Sequence, residues 1–496
     1  MNRQIWFEHI SSWKVFLLER LSCTVDKGDQ IKTERQLRTI ERVRCGAVLN
    51  PALLTSFIDP LAAQTESFIC EEFSLDLNES QKNAVQMALA NKELTLIQGP
   101  PGTGKTQVIA EICLQLYKKN PGIRILVCSE THVALNNLIH RIAEQNDQIR
   151  IVRIRDKEND DSIDEFSPET LLDDYFIWAK SCIQNKDALN IINEELNDPL
   201  NKSLEKALTL SANVAGMTCN RTAAYDYRDT TEMFDVAIID EVCKATLPEI
   251  LAPLIIARKA ILLGDPKQLP PVFCSEEREI LRQLESCHLN RYMYIDTLFE
   301  NSGTALLLDT QYRMSNQIGE MISTLFYDGI LKNGRNEETE DSLSWVAYTP
   351  TRRWPTLQEE NSDQPRIFNE DEGVIIADLV NEIQTVIPET TIGIITPYRA
   401  QATLLRKKIQ PSENIKIDTV DGFQGKERDV IIFSVTRTDG SYRFLADKRR
   451  LNVALSRAKN KIIIVGDTEY AKRNGLLSEI MRYCTVKKRC LSDLKK

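Results

Sequence analysis

Residues 94–119, LTLIQGPPGTGKTQVIAEICLQLYKK, decide how the rest of the chain is read. LTLIQ is apolar, short and followed by glycine, as suits a strand buried on both faces. TQVIAEICLQLYKK reads as a helix with Val108, Ile109, Ile112, Leu116 and Tyr117 on one face. Between them GPPGTGKT (99–106) fits the spacing G-x-x-x-x-G-K-[ST]. Its glycines let backbone N–H groups turn toward phosphate oxygens, and the helix N-terminus points its positive end at them. Gly99, Pro100, Pro101, Gly102, Thr103, Gly104, Lys105 and Thr106 are therefore expected to cradle a nucleotide. Lys105 supplies a point charge to the β/γ-phosphates, and Thr106 offers a hydroxyl to Mg²⁺. The loop by itself leaves a kinase, a GTPase and a motor open.

Working outward, ILVCS (125–129), FDVAIID (234–240) and AILLG (260–264) repeat the short apolar pattern. A second series follows in ALLLDT (305–310), IGIITP (392–397), DVIIFSVT (429–436) and KIIIVG (461–466). Alternation with amphipathic stretches predicts two α/β domains with parallel sheets. The expected order is a helical region at 1–75, a first domain at 76–300, a second at 301–485 and a basic tail at 486–496. Within 4–50, Trp6, Ile10, Trp13, Phe16, Leu17 and Leu21 recur at helical spacing, and Asn50-Pro51 breaks the pattern. Residues 155–213 read as a helical insertion on the first domain, and 335–364 as a long surface loop.

The 496 residues carry 42% hydrophobic and 27% charged side chains, an ordinary globular balance. The net charge of −10 excludes a wholly basic coat protein but not an enzyme with a local basic groove. Acidic runs at 156–165 and 337–341 account for part of it. No apolar stretch is long enough to span a bilayer, and Glu8, His9 and Lys14 interrupt the N-terminus against a secretory signal. An intracellular protein, cytoplasmic or nuclear, without a membrane partner is expected. The twelve cysteines contain no CxxC and the four histidines form no cluster, so reduced thiols and no transition metal are expected.

FDVAIIDEVCKAT (234–246) puts Asp240 and Glu241 at the end of an apolar strand, where α/β sheets hold ligands. Asp240 suits Mg²⁺, and Glu241 suits orienting and deprotonating an attacking water. A solvated turn is the plainer alternative. AILLGDPKQLPP (260–271) ends another strand in a polar turn. There Gln268 would sense the γ-phosphate while Asp265 braces the turn, or the segment is a simple proline-rich loop.

The order of these motifs resembles the superfamily 1 helicases of subgroup B, the group that includes senataxin and the nonsense-mediated-decay helicase. The resemblance covers about four-fifths of the chain, residues 77–467. LNESQKNAV (77–85) is similar to the adenine-reading motif, which implies that Gln81 contacts the base. DTQYRM (309–314), TPYRAQ (396–401), DTVDGFQGKERDVII (418–432) and LADKRRLNVALSRAK (445–459) resemble the second-domain motifs. The resemblance implies two RecA-like P-loop domains, with Arg313 and Arg457 as arginine fingers, Tyr312 stacked near the base and Glu427 on the ribose. Planar, permanently charged guanidinium groups suit a charge-spread phosphoryl transition state. A helix carrying LNVALSRAK would bury Leu451, Ala454, Leu455 and Ala458 and leave Arg457 off that face. The alternative for Arg457 is a surface arginine.

By the same resemblance, nucleic-acid contacts fall at Thr131, His132, Thr218, Thr396, Pro397, Tyr398, Thr419 and Gln424. Such groups hold phosphate and sugar without reading sequence, and Tyr398 can stack on a base. Each threonine is equally a cap or strand-end residue. A monomeric ATP-dependent helicase or translocase on single-stranded RNA or DNA, RNA before DNA, is expected, with RNA-processing or silencing complexes as expected partners; the family implies 5′ to 3′ movement. The alternative is an ATP-gated clamp with little unwinding. Glu130 stands where the family usually has proline, His132 where it has asparagine, and Lys244 where it has glutamine. These departures fall on grip and coupling and leave the ATP motifs intact. The β-barrel that relatives often carry ahead of the adenine motif is expected to be missing or truncated.

Overall fold

Short apolar runs become central strands because both faces of a parallel sheet are covered by helices. The computed structural model describes residues 3–24, 26–67, 70, 72–155, 165–182, 190, 202–224, 233–283, 294–301, 304–335, 341–351, 356–357, 366–423 and 425–491. Most of both acidic runs, Gln424 and residues 492–496 lie outside them. The chain forms two units. The first comprises Met1–Gly99, Lys105–Pro266 and Pro270–Leu308; the second comprises Pro100–Gly104, Lys267–Leu269 and Asp309–Lys496.

The first unit is built on strands β1 (Leu94–Gln98), β2 (Ile125–Ser129), β3 (Ile151–Arg153), β4 (Val214–Thr218), β5 (Phe234–Ile239), β6 (Ala257–Gly264) and β7 (Leu306–Leu307). They form a parallel sheet in the order β3-β4-β2-β5-β6-β1-β7. Successive residues face opposite sides, so Ile97 joins one buried cluster and Leu96 the other. Ile97 packs with Val108, Ile109 and Ile112 of the helix after the phosphate loop. That helix is buried on nearly all sides; even Glu111 is enclosed, accepting the N–H groups of Ser74 at 2.9 Å and Leu75 at 2.8 Å. Gly216 of β4 lies so close under Ile139 that a Cβ would collide with it.

Leu96 shares its cluster with Trp6, Trp13, Phe16 and Phe57, so the N-terminal helices cover one face of this sheet. They are α1 (Arg3–Cys23), α2 (Lys27–Arg44) and α3 (Pro51–Ile58). The continuous helical pattern expected to Asn50 is instead divided between α1, which ends at Cys23, and α2, which starts at Lys27 and ends at Arg44. Asn50 does not simply end a helix. Its side chain accepts the N–H of Ala52 at 3.0 Å and, with Pro51 in the first turn, starts α3.

The second unit carries a parallel sheet of β10 (Leu343–Ala347), β13 (Ile392–Thr396), β14 (Ile415–Thr419), β15 (Arg428–Ser434), β16 (Ala458–Val465) and β17 (Thr485–Lys488), in the order β14-β13-β15-β16-β10-β17. Two small pairs flank it: β8 (Thr310–Gln311) with β9 (Lys332–Asn333), and β11 (Thr356–Leu357) with β12 (Arg366–Ile367). Three expectations are corrected. ALLLDT contributes Leu306–Leu307 to the first sheet, not a strand to the second. The expected surface loop at 335–364 contains the buried strand β10, whose Trp345 Nε1 donates to the Gly466 carbonyl at 3.0 Å. The basic tail begins inside β17, which pairs with β10. Among the described residues, no helix is long and apolar enough to cross a membrane.

Candidate active site

The chemistry of the first sheet gathers at the carboxyl ends of neighbouring strands. The phosphate loop leaves β1, Asp240 follows β5 and Asp265 follows β6, and these three strands are adjacent. Gly99 N–H donates to Gly264 O at 2.9 Å, tying the loop to the end of β6. Gly102 and Gly104 have φ of +75° and +79°, a left-handed conformation that side chains resist. Lys105 Nζ donates to Gly99 O at 2.6 Å, so its ammonium is folded over the loop it would serve. Thr103 is buried, its hydroxyl bonded to Pro100 O at 2.8 Å.

Burial pushes the Asp240 carboxyl up to about 6 against the pull of Lys105, with the charge of Glu241 adding to the rise. Its Oδ1 accepts the Glu241 N–H at 2.9 Å. Glu241 itself adopts φ +55°, an unusual backbone for a non-glycine residue and the kind found where a side chain is aimed by its surroundings. A hydroxyl at Thr106 and a carboxylate at Asp240 form the oxygen donor set that Mg²⁺ prefers. Gln98 Nε2 reaches Asp265 Oδ1 at 3.4 Å. Gln81 is buried, and its Oε1 accepts the Asn78 N–H at 3.0 Å while Asn78 Oδ1 accepts the Gln81 N–H at 2.9 Å. The side chain expected to read the base thus also closes the N-terminus of helix α4 (Glu79–Ala90).

The expected strand contacts of this unit lie at the ends of β2 and β4, where Ser129 pairs with Thr218. Thr131 caps the helix His132–Ala143, accepting Ala134 N–H at 3.3 Å. Thr218 caps a short turn at Cys219–Thr222. His132 Nδ1 lies 3.0 Å from Nη2 of Arg153, which is fully buried and also bonded to Asn136. Arg153 carried no signal in the sequence beyond an alternating IRIVRIR run.

In the second unit the two groups of residues separate to opposite edges of the sheet. Glu427 precedes β15 and Arg457 precedes β16, at their amino ends. Arg313 Nε pairs with Glu427 Oε2 at 2.6 Å, and Arg313 Nη1 donates to Ser456 O at 3.2 Å. Lys459 adds a second ion pair to Glu427 at 3.2 Å. Burial raises the Glu427 carboxyl, but Arg313 and Lys459 outweigh it and hold it below its ordinary value. Arg457 is not a helix-surface residue. Its helix ends at Leu455, β16 begins at Ala458, and the guanidinium is 4% exposed. It donates to Val453 O at 2.9 Å and to Gln268 Oε1 at 3.1 Å. Tyr312 is 44% exposed.

At the carboxyl edge, Thr396 and Thr419 are register partners. Thr396 is fully buried, its hydroxyl 3.1 Å from that of Thr436, and Pro397 is buried beside it. This fits the strand-end reading of Thr396. Thr419 accepts the Gly422 N–H at 3.4 Å. Tyr398 is half-buried, receives the Arg437 Nε–H at 2.6 Å and packs against Phe444. Arg437 was not singled out in the sequence.

Two family models, each described as an AAA domain, match this chain at residues 76–198 and 179–276 and at residues 290–469. DNA polymerase alpha-associated DNA helicase A of Saccharomyces cerevisiae is 32% identical over 84% of this chain and 69% of its own length. The chain belongs to the superfamily 1 helicases. Within that superfamily it groups with the nonsense-transcript regulators and the senataxin-like proteins. The regulator of nonsense transcripts 1 homolog of Neurospora crassa is 29% identical over 84% of this helicase and 39% of its own length. ATP-dependent helicase NAM7 of Saccharomyces cerevisiae is 30% identical over 83% of this helicase and 45% of its own length. The helicase spans less than half of those last two relatives. As a member of this family it is a nucleic-acid-dependent ATPase that uses nucleotide and binds nucleic acid.

Proposed function

We propose that this helicase is an ATP-driven translocase on single-stranded nucleic acid, on RNA in preference to DNA and in the 5′ to 3′ direction. The observation that carries the hydrolytic part is the placing of Asp240 at the end of β5, inside the field of Lys105, with Glu241 held in a strained backbone beside it. Lys105 and the loop N–H groups bind the β/γ-phosphates. Thr106 and Asp240 would hold Mg²⁺, which would supply charge neutralisation at the phosphate oxygens. Glu241 orients the attacking water and accepts its proton. Arg313, Arg457 and Gln268 act on the γ-phosphate, with Tyr312, Gln81 and Glu427 on the nucleoside. Arg313 exchanges Glu427 for phosphate when it acts, which makes the carboxylate a keeper of the finger as well as a ribose contact.

The strand is held by Thr131, His132 and Thr218 at the carboxyl ends of strands in the first unit, and by Pro397, Tyr398 and Thr419 at the carboxyl ends of strands in the second; the same role is assigned to Gln424, which lies outside the described residues. The names of its relatives refer both to DNA and to nonsense transcripts. RNA-processing complexes and a cytoplasmic or nuclear setting suit the second group. ATPase stimulation by single-stranded RNA and DNA of equal length tests the preference; stronger stimulation by DNA refutes it. The engagement of His132 with Arg153 and of Tyr398 with Arg437 favours a second reading, an ATP-gated clamp. Strand displacement with a 5′ overhang separates the two, since a clamp binds in ATP without displacing.

A further inference from the structure

Helix α2 is bonded to the helix that follows the Glu241 loop. The bridge is Glu249, a carboxylate 2% exposed at the start of the helix Leu247–Leu254. Its Oε2 accepts the Thr246 N–H at 2.8 Å and the Thr246 hydroxyl at 2.6 Å. Its Oε1 accepts the Gln36 Nε2–H at 3.0 Å and pairs with Lys32 Nζ at 2.7 Å. Gln36 and Lys32 both belong to α2. The segment from Glu241 to Thr246 is thus fixed at one end by the strand carrying Asp240 and at the other by α2. Between them Lys244 N–H donates to Glu241 O at 2.9 Å, so the loop is a single tight turn.

Lys32 has a second partner. Its Nζ lies 3.9 Å from Glu130 Oε1, and Glu130 immediately precedes Thr131, the cap of the helix at the expected strand contact. Burial and the charge of Glu249 raise the Glu130 carboxyl to about 8, while Lys32 and Lys244 pull it down and Glu241 pushes it up. Glu130 and Glu249 are thereby joined through the one ammonium of Lys32 on α2.

We propose that Lys32 is a positioning residue that couples nucleic-acid binding to hydrolysis, joining the turn at Glu130–Thr131 to the loop that holds Glu241. It rests on the proposed function above. A strand seated on Thr131 shifts Glu130, the shift reaches Lys32 and Glu249, and the Glu241 loop moves with them. The helices before the adenine motif are then part of the coupling machinery as well as a cover for the sheet.

The test compares steady-state ATPase with and without a saturating single-stranded homopolymer, uridine or thymidine, for the full chain and for Lys32→Met, Lys32→Arg, Glu130→Leu and the Lys32→Met/Glu130→Leu double variant. Lys32→Met lowers the ratio of stimulated to basal kcat by about ten-fold, the range seen for residues that link two sites. KM for ATP stays put because no group on the phosphates changes. Lys32→Arg restores the ratio, and the double variant falls no further than Lys32→Met. A ratio equal to wild type, or basal and stimulated rates falling together as for a mere brace, overturns the inference. If Lys32→Met does not fold, Glu130→Leu decides alone: a reduced ratio supports the coupling and an unchanged one overturns it. A wild-type enzyme that no strand stimulates overturns the proposed function, and this inference with it.

Discussion

Glu372 offers a prediction whose size follows from its surroundings. It is fully buried in the second unit, where Oε2 accepts the Ser434 hydroxyl at 2.6 Å and the Thr436 N–H at 2.9 Å, and Oε1 accepts the Tyr348 hydroxyl at 3.0 Å. It holds Thr436, a β-branched residue at φ +68°, directly beneath Thr396. Burial dominates these donors and pushes the carboxyl from 4.5 up to about 8. Between those pH values the native state keeps a proton that the unfolded chain has lost. Stability therefore falls as pH rises through this window, by about 1.4 kcal/mol per pH unit and about 5 kcal/mol in all at most. Glu372→Gln keeps a neutral group of the same shape and removes that slope. Urea unfolding of wild type and variant at pH 5.5 and 7.5 checks it. The variant gains about 3 kcal/mol relative to wild type between the two values. Parallel pH dependences would show that Glu372 is ionised in the fold and refute the reasoning.

Further outcomes follow from other sites. Trp13, 1% exposed among Phe16 and the sheet, is the anchor of α1, so Trp13→Ala costs about 3–5 kcal/mol in denaturant unfolding. A loss below about 1 kcal/mol would mean that α1 is not part of the first core. Arg457→Lys keeps charge but loses the planar fork that holds both Val453 O and Gln268; stimulated kcat falls about a thousand-fold with ATP affinity changed far less. A variant that turns over at half the wild-type rate would remove Arg457 from the γ-phosphate.

Much of the first unit was legible because its strands are short, apolar and bounded by glycine or acidic turns. LTLIQ, ILVCS and FDVAIID appear in the fold within one residue of their expected limits. The strand β10 escaped because Ser344 interrupts its apolar run and Ser342 precedes it, although both serines are buried. The first β7 residues looked like the start of the second series because periodicity reports a strand and not the sheet it joins. The helical spacing of LNVALSRAK runs past the point where the chain turns into β16, so periodicity alone extends the helix through Arg457, which lies between its end and the strand. The coupling cluster had one readable sign, the T-x-x-E box of Thr246 and Glu249. Its other half, Lys32 and Gln36, lies more than two hundred residues away in sequence and is found only by folding.

Glu241 carries the central claim. Steady-state ATPase of wild type and Glu241→Gln, each with and without single-stranded RNA, tests it most directly. Wild type is expected to show strand-stimulated hydrolysis, and Glu241→Gln a loss of about 10²–10⁴-fold, the worth of a positioned general base, with nucleotide binding retained. Hydrolysis in Glu241→Gln at the wild-type rate would contradict it.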